Sequence, residues 1–203
     1  TNGRRGVGFA FGRSDAGLWE RAARMLVPDV AGGSVLGQAV GTEGDIAALG
    51  MAGADYGAGT VAIFEREAAT RRWRLATTVA SPPEAIASIT GAEIRCGDDG
   101  RAAMFDCHDV ELLSFLSIPD LGAERGARMN DVWGWTDPET GREYVIAGRM
   151  DGTSFVDITD PLNPVVLGNL PRTPGSPGAS WRDMKVYRDH AYIVADASGA
   201  HGM

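Results

Sequence analysis

The chain has no apolar run near the ~18 residues that a membrane-crossing helix needs. It holds only two cysteines and three histidines in 203 residues. No Gly-x-Ser-x-Gly, no glycine-rich phosphate loop and no His-Glu-x-x-His occurs, so the familiar signatures of hydrolases, nucleotide binders and zinc peptidases are missing. Long uninterrupted amphipathic helical patterns are also missing. Basic residues are scattered, and the pairs Arg4-Arg5 and Arg71-Arg72 are too short to form a tract. With a net charge of −8 and a pI near 4.9, the chain repels phosphate backbones, which makes nucleic acid a poor candidate, and none is expected as a partner. No signal peptide is visible. The chain opens on Thr1 and reads as a piece cut from a longer protein, so that absence excludes nothing.

What is present is turn chemistry between short apolar runs. Hydrophobic residues make up 44% of the chain and charged ones 23%, which supports a packed core rather than disorder. The 28 glycines and 10 prolines suit strands joined by tight turns, because Gly supplies positive φ and Pro presets φ. This composition predicts an all-β sandwich, barrel or propeller. Repeats decide among these. Tyr144 to Leu170, YVIAGRMDGTSFVDITDPLNPVVLGNL, alternates strands with Asp-Gly and Asp-Pro-Leu-Asn-Pro turns, and a weaker copy starts at Asp183, DMKVYRDHAYIVADASGAHGM. A second repeat lies near the N-terminus. Gly6 to Arg13, GVGFAFGR, is followed by Trp19, and Gly59 to Arg66, GTVAIFER, by Trp73. A period near 50 residues is that of a four-stranded propeller blade.

The predicted strands between these marks are Leu36 to Val40, Gly44 to Gly50, Glu143 to Gly148, Thr153 to Thr159, Val165 to Leu170, Asp183 to Tyr187 and Ala191 to Ala195. Ile86 to Ile94 reads as a strand, and Val110 to Leu116 as a short helix or a buried strand, which periodicity cannot separate. Ala123 to Met129 reads as an exposed connection. Aligning Asp131 with Asp183 and Tyr144 with Tyr192 leaves the last repeat without outer strands. The expectation is an all-β β-propeller fragment of four-stranded blades, truncated at both ends. Residues 1–82 form blades with a partial first one, 83–126 a cysteine-loop connection, and 127–203 blades with a partial last one.

Cys96 and Cys107 bracket CGDDGRAAMFDC. The spacing suits a disulfide closing a loop through the Asp-Asp-Gly turn, which would contribute about 2–3 kcal/mol in the chain-entropy model. The alternative is two unrelated buried thiols. A structural zinc site needs four ligands, and only His108 is close by.

The N-terminal part, through LGQAV, Gly44-Asp45 and GAGTVAIFER, resembles FG-GAP-type propeller repeats. From Cys96 onward the chain resembles a bacterial group with LVIVD repeats, the choice-of-anchor B proteins. The residues that carry the likeness are the cysteine loop, ELLSFL, NDVWGWTDPETGREY, DGTSFVDITDPLNPVVLG, WRDMKVYRDHAYIVADASG and HGM. That resemblance implies an exported β-propeller, secreted or held at the bacterial cell surface by a C-terminal anchor, with no defining enzymatic activity. Calcium-binding FG-GAP repeats carry several closely spaced aspartates, whose oxygens suit that cation. The turn here, Gly53-Ala-Asp55-Tyr-Gly, has one, and Asp98-Asp99-Gly100 lies inside the cysteine loop, so no cofactor is expected and Ca²⁺ stays a minor alternative.

The candidate binding residues are Asp131, Trp133, Trp181, Arg182, Asp183, His190 and His201. Asp131 and Asp183 open equivalent strands, where they bond backbone turns or line a channel. Trp133, Trp135 and Trp181 offer aromatic faces to a glycan or peptide, or pack between blades. Arg182 reads first as a tie between blades, His190 as a solvated turn residue, and His201 first as a turn residue, with flanking glycines that would also let a backbone approach a ligand closely. The expected function is a non-enzymatic binding or adhesion scaffold whose partner is a surface protein, peptide or glycan. The alternative is a lactonase-like propeller hydrolase with Asp131, Asp183, His190 or His201 converging at a channel mouth, around a metal or without one.

Overall fold

The computed structural model describes residues 5–28, 30, 33–82 and 86–199. The chain divides into two compact units, Thr1–Pro83 and Glu84–Met203. Among the described residues there is no α-helix, and no helix long and apolar enough to cross a membrane.

In the first unit, β1 (Gly8–Arg13) and β2 (Trp19–Met25) pair as an antiparallel two-stranded sheet. β3 (Leu36–Glu43), β4 (Ile46–Met51), β5 (Thr60–Arg66) and β6 (Trp73–Val79) form a four-stranded antiparallel meander in chain order. The connections are too short for crossovers, so each strand pairs with the next. Period-two patterning sets the core: Ala47, Leu49 and Met51 on β4 and Ala62 and Phe64 on β5 are all buried, with Met25, Leu36 and Ala54 packed around them. Each large side chain so buried contributes about 1.5–3 kcal/mol. Gly6 has no alternative at its position. Its φ is +75°, and a Cβ there would lie 2.2 Å from the Leu36 carbonyl oxygen, across a parallel bridge to Leu36.

The pairs β1–β2 and β5–β6 are built alike. The register shifts between Ala10 and Phe11 in one and between Ile63 and Phe64 in the other, and both pairs end on an Arg opposite a Trp: Arg13–Trp19 and Arg66–Trp73. A bulge at the same place increases the local twist of both. Arg66 lies over the Trp73 ring at 5.5 Å and pairs with Asp45 at 2.6 Å, while Arg13 Nε donates to the Gly17 carbonyl at 3.1 Å.

The second unit starts with the disulfide. Cys96 and Cys107 are bonded, with their Cα atoms 5.8 Å apart. Inside the loop, β7 (Arg101–Ala102) and β8 (Phe105–Asp106) make a minimal hairpin. The turn before it forms as Gly100 N–H bonds the Gly97 carbonyl at 2.9 Å and Asp99 accepts the Arg101 N–H at 3.1 Å. The stretch 110–116 is neither a helix nor a continuous strand. Leu112 and Phe115 form isolated antiparallel bridges to Ile94 and Ile89, so its apolar density serves a two-point clamp, with Phe115 packed on Phe105 at 5.0 Å. Residues 123–129 are not simply exposed either: Ala127 is buried, Glu124 N–H donates to Asp151 at 2.6 Å, and the Arg128 carbonyl accepts from Met150.

β9 (Met129–Thr136), β10 (Glu143–Arg149), β11 (Gly152–Asp157) and β12 (Val165–Pro171) form the second four-stranded meander, and β13 (Arg182–Tyr187) and β14 (His190–Ala195) form a hairpin. The equivalence of Tyr144 with Tyr192 does not survive in register. Tyr144 pairs Trp135, whereas Tyr187, the counterpart of Trp135, pairs His190. The six-residue turn between β9 and β10 is replaced by a two-residue turn at Arg188-Asp189, both with positive φ, so the second strand slips by two.

The interior of this unit is unusually polar. Arg149, Asp151, Thr153, Ser154, Asp157 and Arg182 are buried beside Ile146, Ala147, Val156 and Met184. Arg149 and Asp151 pair at 3.0 Å (Nε to Oδ1), with each side chain 3% exposed. The N–H does not point along that contact, so it is ionic rather than hydrogen-bonded. The hydrogen bonds come from elsewhere: Arg149 Nη1 donates to the Leu121 carbonyl, to Ser154 at 3.0 Å and to Asn169 at 2.6 Å.

Asp157 is the other buried anion. Its carboxylate accepts from Thr159 and from Arg142, and these donors hold its pKa down to about 2. The unfolded chain titrates at about 3.9. A folded-state value below the unfolded one stabilises the fold above the unfolded pKa, and that contribution drains away as pH falls from about 4 towards 2. Urea unfolding of wild type should therefore lose stability across that window, and Asp157→Asn should flatten the loss; an equally steep loss in the variant would refute the assignment. Reducing the disulfide, or replacing both cysteines with Ala, should cost about 2–3 kcal/mol, read as a lower urea midpoint. An unchanged midpoint would show that the loop is held without the bridge.

A candidate binding cleft beside two strand starts

β9 and β13 lie against each other in the second unit. Two features bring them there. Met184 on β13 is fully buried, and its methyl group fills the space above Gly148 on β10, where a Cβ would lie 2.7 Å from it and 2.3 Å from Asn130 Oδ1. Arg182 is 4% exposed and its Nε donates to the Arg149 carbonyl at 3.1 Å. Alternation then turns Asp183 and Lys185 outward, on the face opposite Arg182 and Met184.

The result is a cleft of about 470 Å³ that gathers Asp131, Trp181, Arg182, Asp183, Val194 and Asp196, with Asn130 and Ser180 completing it. Trp181 is 68% exposed and is held by its backbone, since its carbonyl accepts the Asp196 N–H at 2.9 Å. Asn130 is fixed by donating to the Ala179 carbonyl at 3.2 Å. Lys185 sits 2.7 Å from Asp183 and 4.3 Å above the Trp133 ring.

The Lys185 ammonium holds the Asp183 carboxyl below the usual carboxylate range; burial opposes this, and the Asp131 side chain adds a hydrogen bond that lowers it further. Burial is the main cause that pulls the Arg182 guanidinium below its ordinary value, with Asp151 opposing and Arg149 reinforcing. Beyond the bond to Arg149, the Arg182 side chain has no hydrogen-bond partner among the described residues. Asp131 and Asp196 form no ion pair with a cation among them either.

Four of the seven residues singled out in the sequence thus line one cleft: Asp131, Trp181, Arg182 and Asp183. Trp133 is half-buried under Lys185 and offers its face inward to the chain. Trp135 stacks on Tyr144 at 5.5 Å. His190 lies at the far end of the β13–β14 hairpin, exposed, with Nδ1 2.7 Å from the Arg188 carbonyl oxygen, so it does not join the aspartates. His201 lies outside the described residues. Among the described residues no group of three or more His, Cys, Asp or Glu side chains is arranged to hold a metal ion. Asp55 accepts the Thr60 hydroxyl at 3.0 Å, which is turn chemistry.

Sequence reasoning missed Asp196, which completes the acidic side of the cleft, and the Arg149–Asp151 pair behind it. The second was visible as a signal: Arg149 and Asp151 continue the apolar run Tyr144 to Gly148 without a break, where charges are tolerated only if paired. No protein-family model matches the chain, and no curated protein matches it.

Proposed function

We propose that the chain belongs to an exported β-propeller that acts as a binding or adhesion scaffold at the bacterial cell surface or outside the cell. The two four-stranded antiparallel meanders, β3–β6 and β9–β12, have the strand count and chain order of propeller blades. The disulfide suits an oxidising compartment. The observation that carries the binding role is the cleft itself, where an exposed indole stands beside carboxylates and a buried guanidinium. Exposed aromatics ringed by fixed polar groups are the usual anchors of recognition sites.

A second reading, a propeller hydrolase, is favoured by one feature. Asp131 and Asp183 line the same cleft, and two carboxyl groups that reach one substrate can divide the roles of general acid and general base. The two readings part on turnover.

Wild type applied to glycan and peptide arrays should retain a discrete set of members, and Trp181→Ala should weaken retention by about tenfold or more, with the bound ligand recovered intact. Retention indifferent to Trp181→Ala would overturn the binding site, and recovery of cleaved ligand, abolished by Asp131→Asn, would establish the hydrolase.

A further inference from the structure

The charge of the cleft narrows its ligand, given that the cleft is a binding site. Three carboxylates, Asp131, Asp183 and Asp196, face one guanidinium, Arg182. Lys185 offsets Asp183 only. Asp131 and Asp196 therefore present negative charge without a cation of their own among the described residues, in a chain already at −8. Such a surface attracts cations and repels anionic polymers.

The protein shows on its own surface how a lysine fits such a setting. Lys185 puts its ammonium on an aspartate and over an indole, 2.7 Å from Asp183 and 4.3 Å from the Trp133 centroid. The cleft repeats those elements with no resident lysine: Trp181 for the ring, Asp131 and Asp196 for the carboxylates, and Val194 as an apolar wall. An ammonium or guanidinium over an exposed indole gains about 0.5–1 kcal/mol, and the methylene stem covers the apolar wall.

Arg182 supplies the second, independent element. Nearly all of it is buried, it lines the cleft, and its only hydrogen bond among the described residues is the one from Nε to Arg149. A guanidinium donates and never accepts, and its Nη groups, which open to the cleft, can donate to an oxygen of the ligand. A main-chain carbonyl offers such an oxygen, and it is what a peptide carries next to a basic side chain.

We propose that the cleft binds a basic peptide segment, taking a lysine or arginine side chain between Asp131 and Asp196 against Trp181 while Arg182 bonds the peptide backbone. The probe is an N-acetylated, C-amidated Gly-Lys-Gly-Lys-Gly peptide, titrated calorimetrically into the whole chain. Norleucine and glutamate counterparts, a neutral chito-oligosaccharide and CaCl₂ serve as controls.

The lysine peptide should bind, and the norleucine and glutamate peptides should bind at least about tenfold more weakly. Affinity should fall as NaCl rises from about 50 to about 500 mM, as screening dictates. Asp131→Asn and Asp196→Asn should each weaken binding severalfold while Asp131→Glu retains it, with circular dichroism spectra unchanged. Equal affinity for the norleucine peptide, or salt-independent binding, would overturn the proposal. Saturable binding of the oligosaccharide or of Ca²⁺ through Trp181 or Asp131, with the lysine peptide silent, would overturn the ligand class and leave the binding role standing. Silence of every probe, together with empty arrays, would remove both.

Discussion

The second unit depends on the ion pair between Arg149 and Asp151. Both side chains are about 3% exposed, and moving two charges out of water costs several kcal/mol each before anything is recovered. The recovery is spread over distant parts of the chain. Leu121, Ser154 and Asn169 accept from Arg149, while Glu124 donates to Asp151. Those groups come from the segment that follows the cysteine loop, from β11 and from β12. The backbone carbonyl of the same arginine then receives Arg182. One buried pair thus ties four strands and one loop together, and it orients the arginine that floors the cleft.

That arrangement links stability to recognition. Arg182 is buried against a second arginine, which disfavours its charge, and Asp151 offsets this. The cleft's positive element is therefore supported from behind, while its negative elements stand at the surface, Asp131 and Asp183 near strand starts and Asp196 just past the end of β14. A buried, positioned donor beside exposed carboxylates is a sound basis for selectivity, because the donor loses little freedom on binding. The exposed Trp181 is fixed through its backbone, so its ring is presented without depending on side-chain packing.

Much of the strand layout could be read from the residues. Trp19 and Trp73 open β2 and β6 as their spacing implied, because a polar turn followed by an aromatic marks a strand start on short-range chemistry alone. The Asp160 turn is equally local: its carboxylate accepts from Leu162 and Asn163. One misreading has a long-range cause. Leu112 and Phe115 look like a dense strand or helix, but their partners Ile94 and Ile89 lie far back in the chain. The slip of β14 against β13 has a local cause, the tight Arg188-Asp189 turn with positive φ at both residues: the turn was legible, its two-residue length was not. At the site, Trp181, Arg182 and Asp183 were legible because they are contiguous. Asp196 was not, since only the hairpin pairing of Arg182 with Ala195 brings it back to Trp181.

The central claim is that the buried charges behind the cleft act as one unit with Arg182. A double-mutant cycle on Asp151→Asn and Arg182→Met, with each unfolding free energy taken from urea titration, measures it directly. Coupling of about 1 kcal/mol or more is predicted, within the range seen for residues that share a network. Additive losses, with coupling indistinguishable from zero, would contradict it.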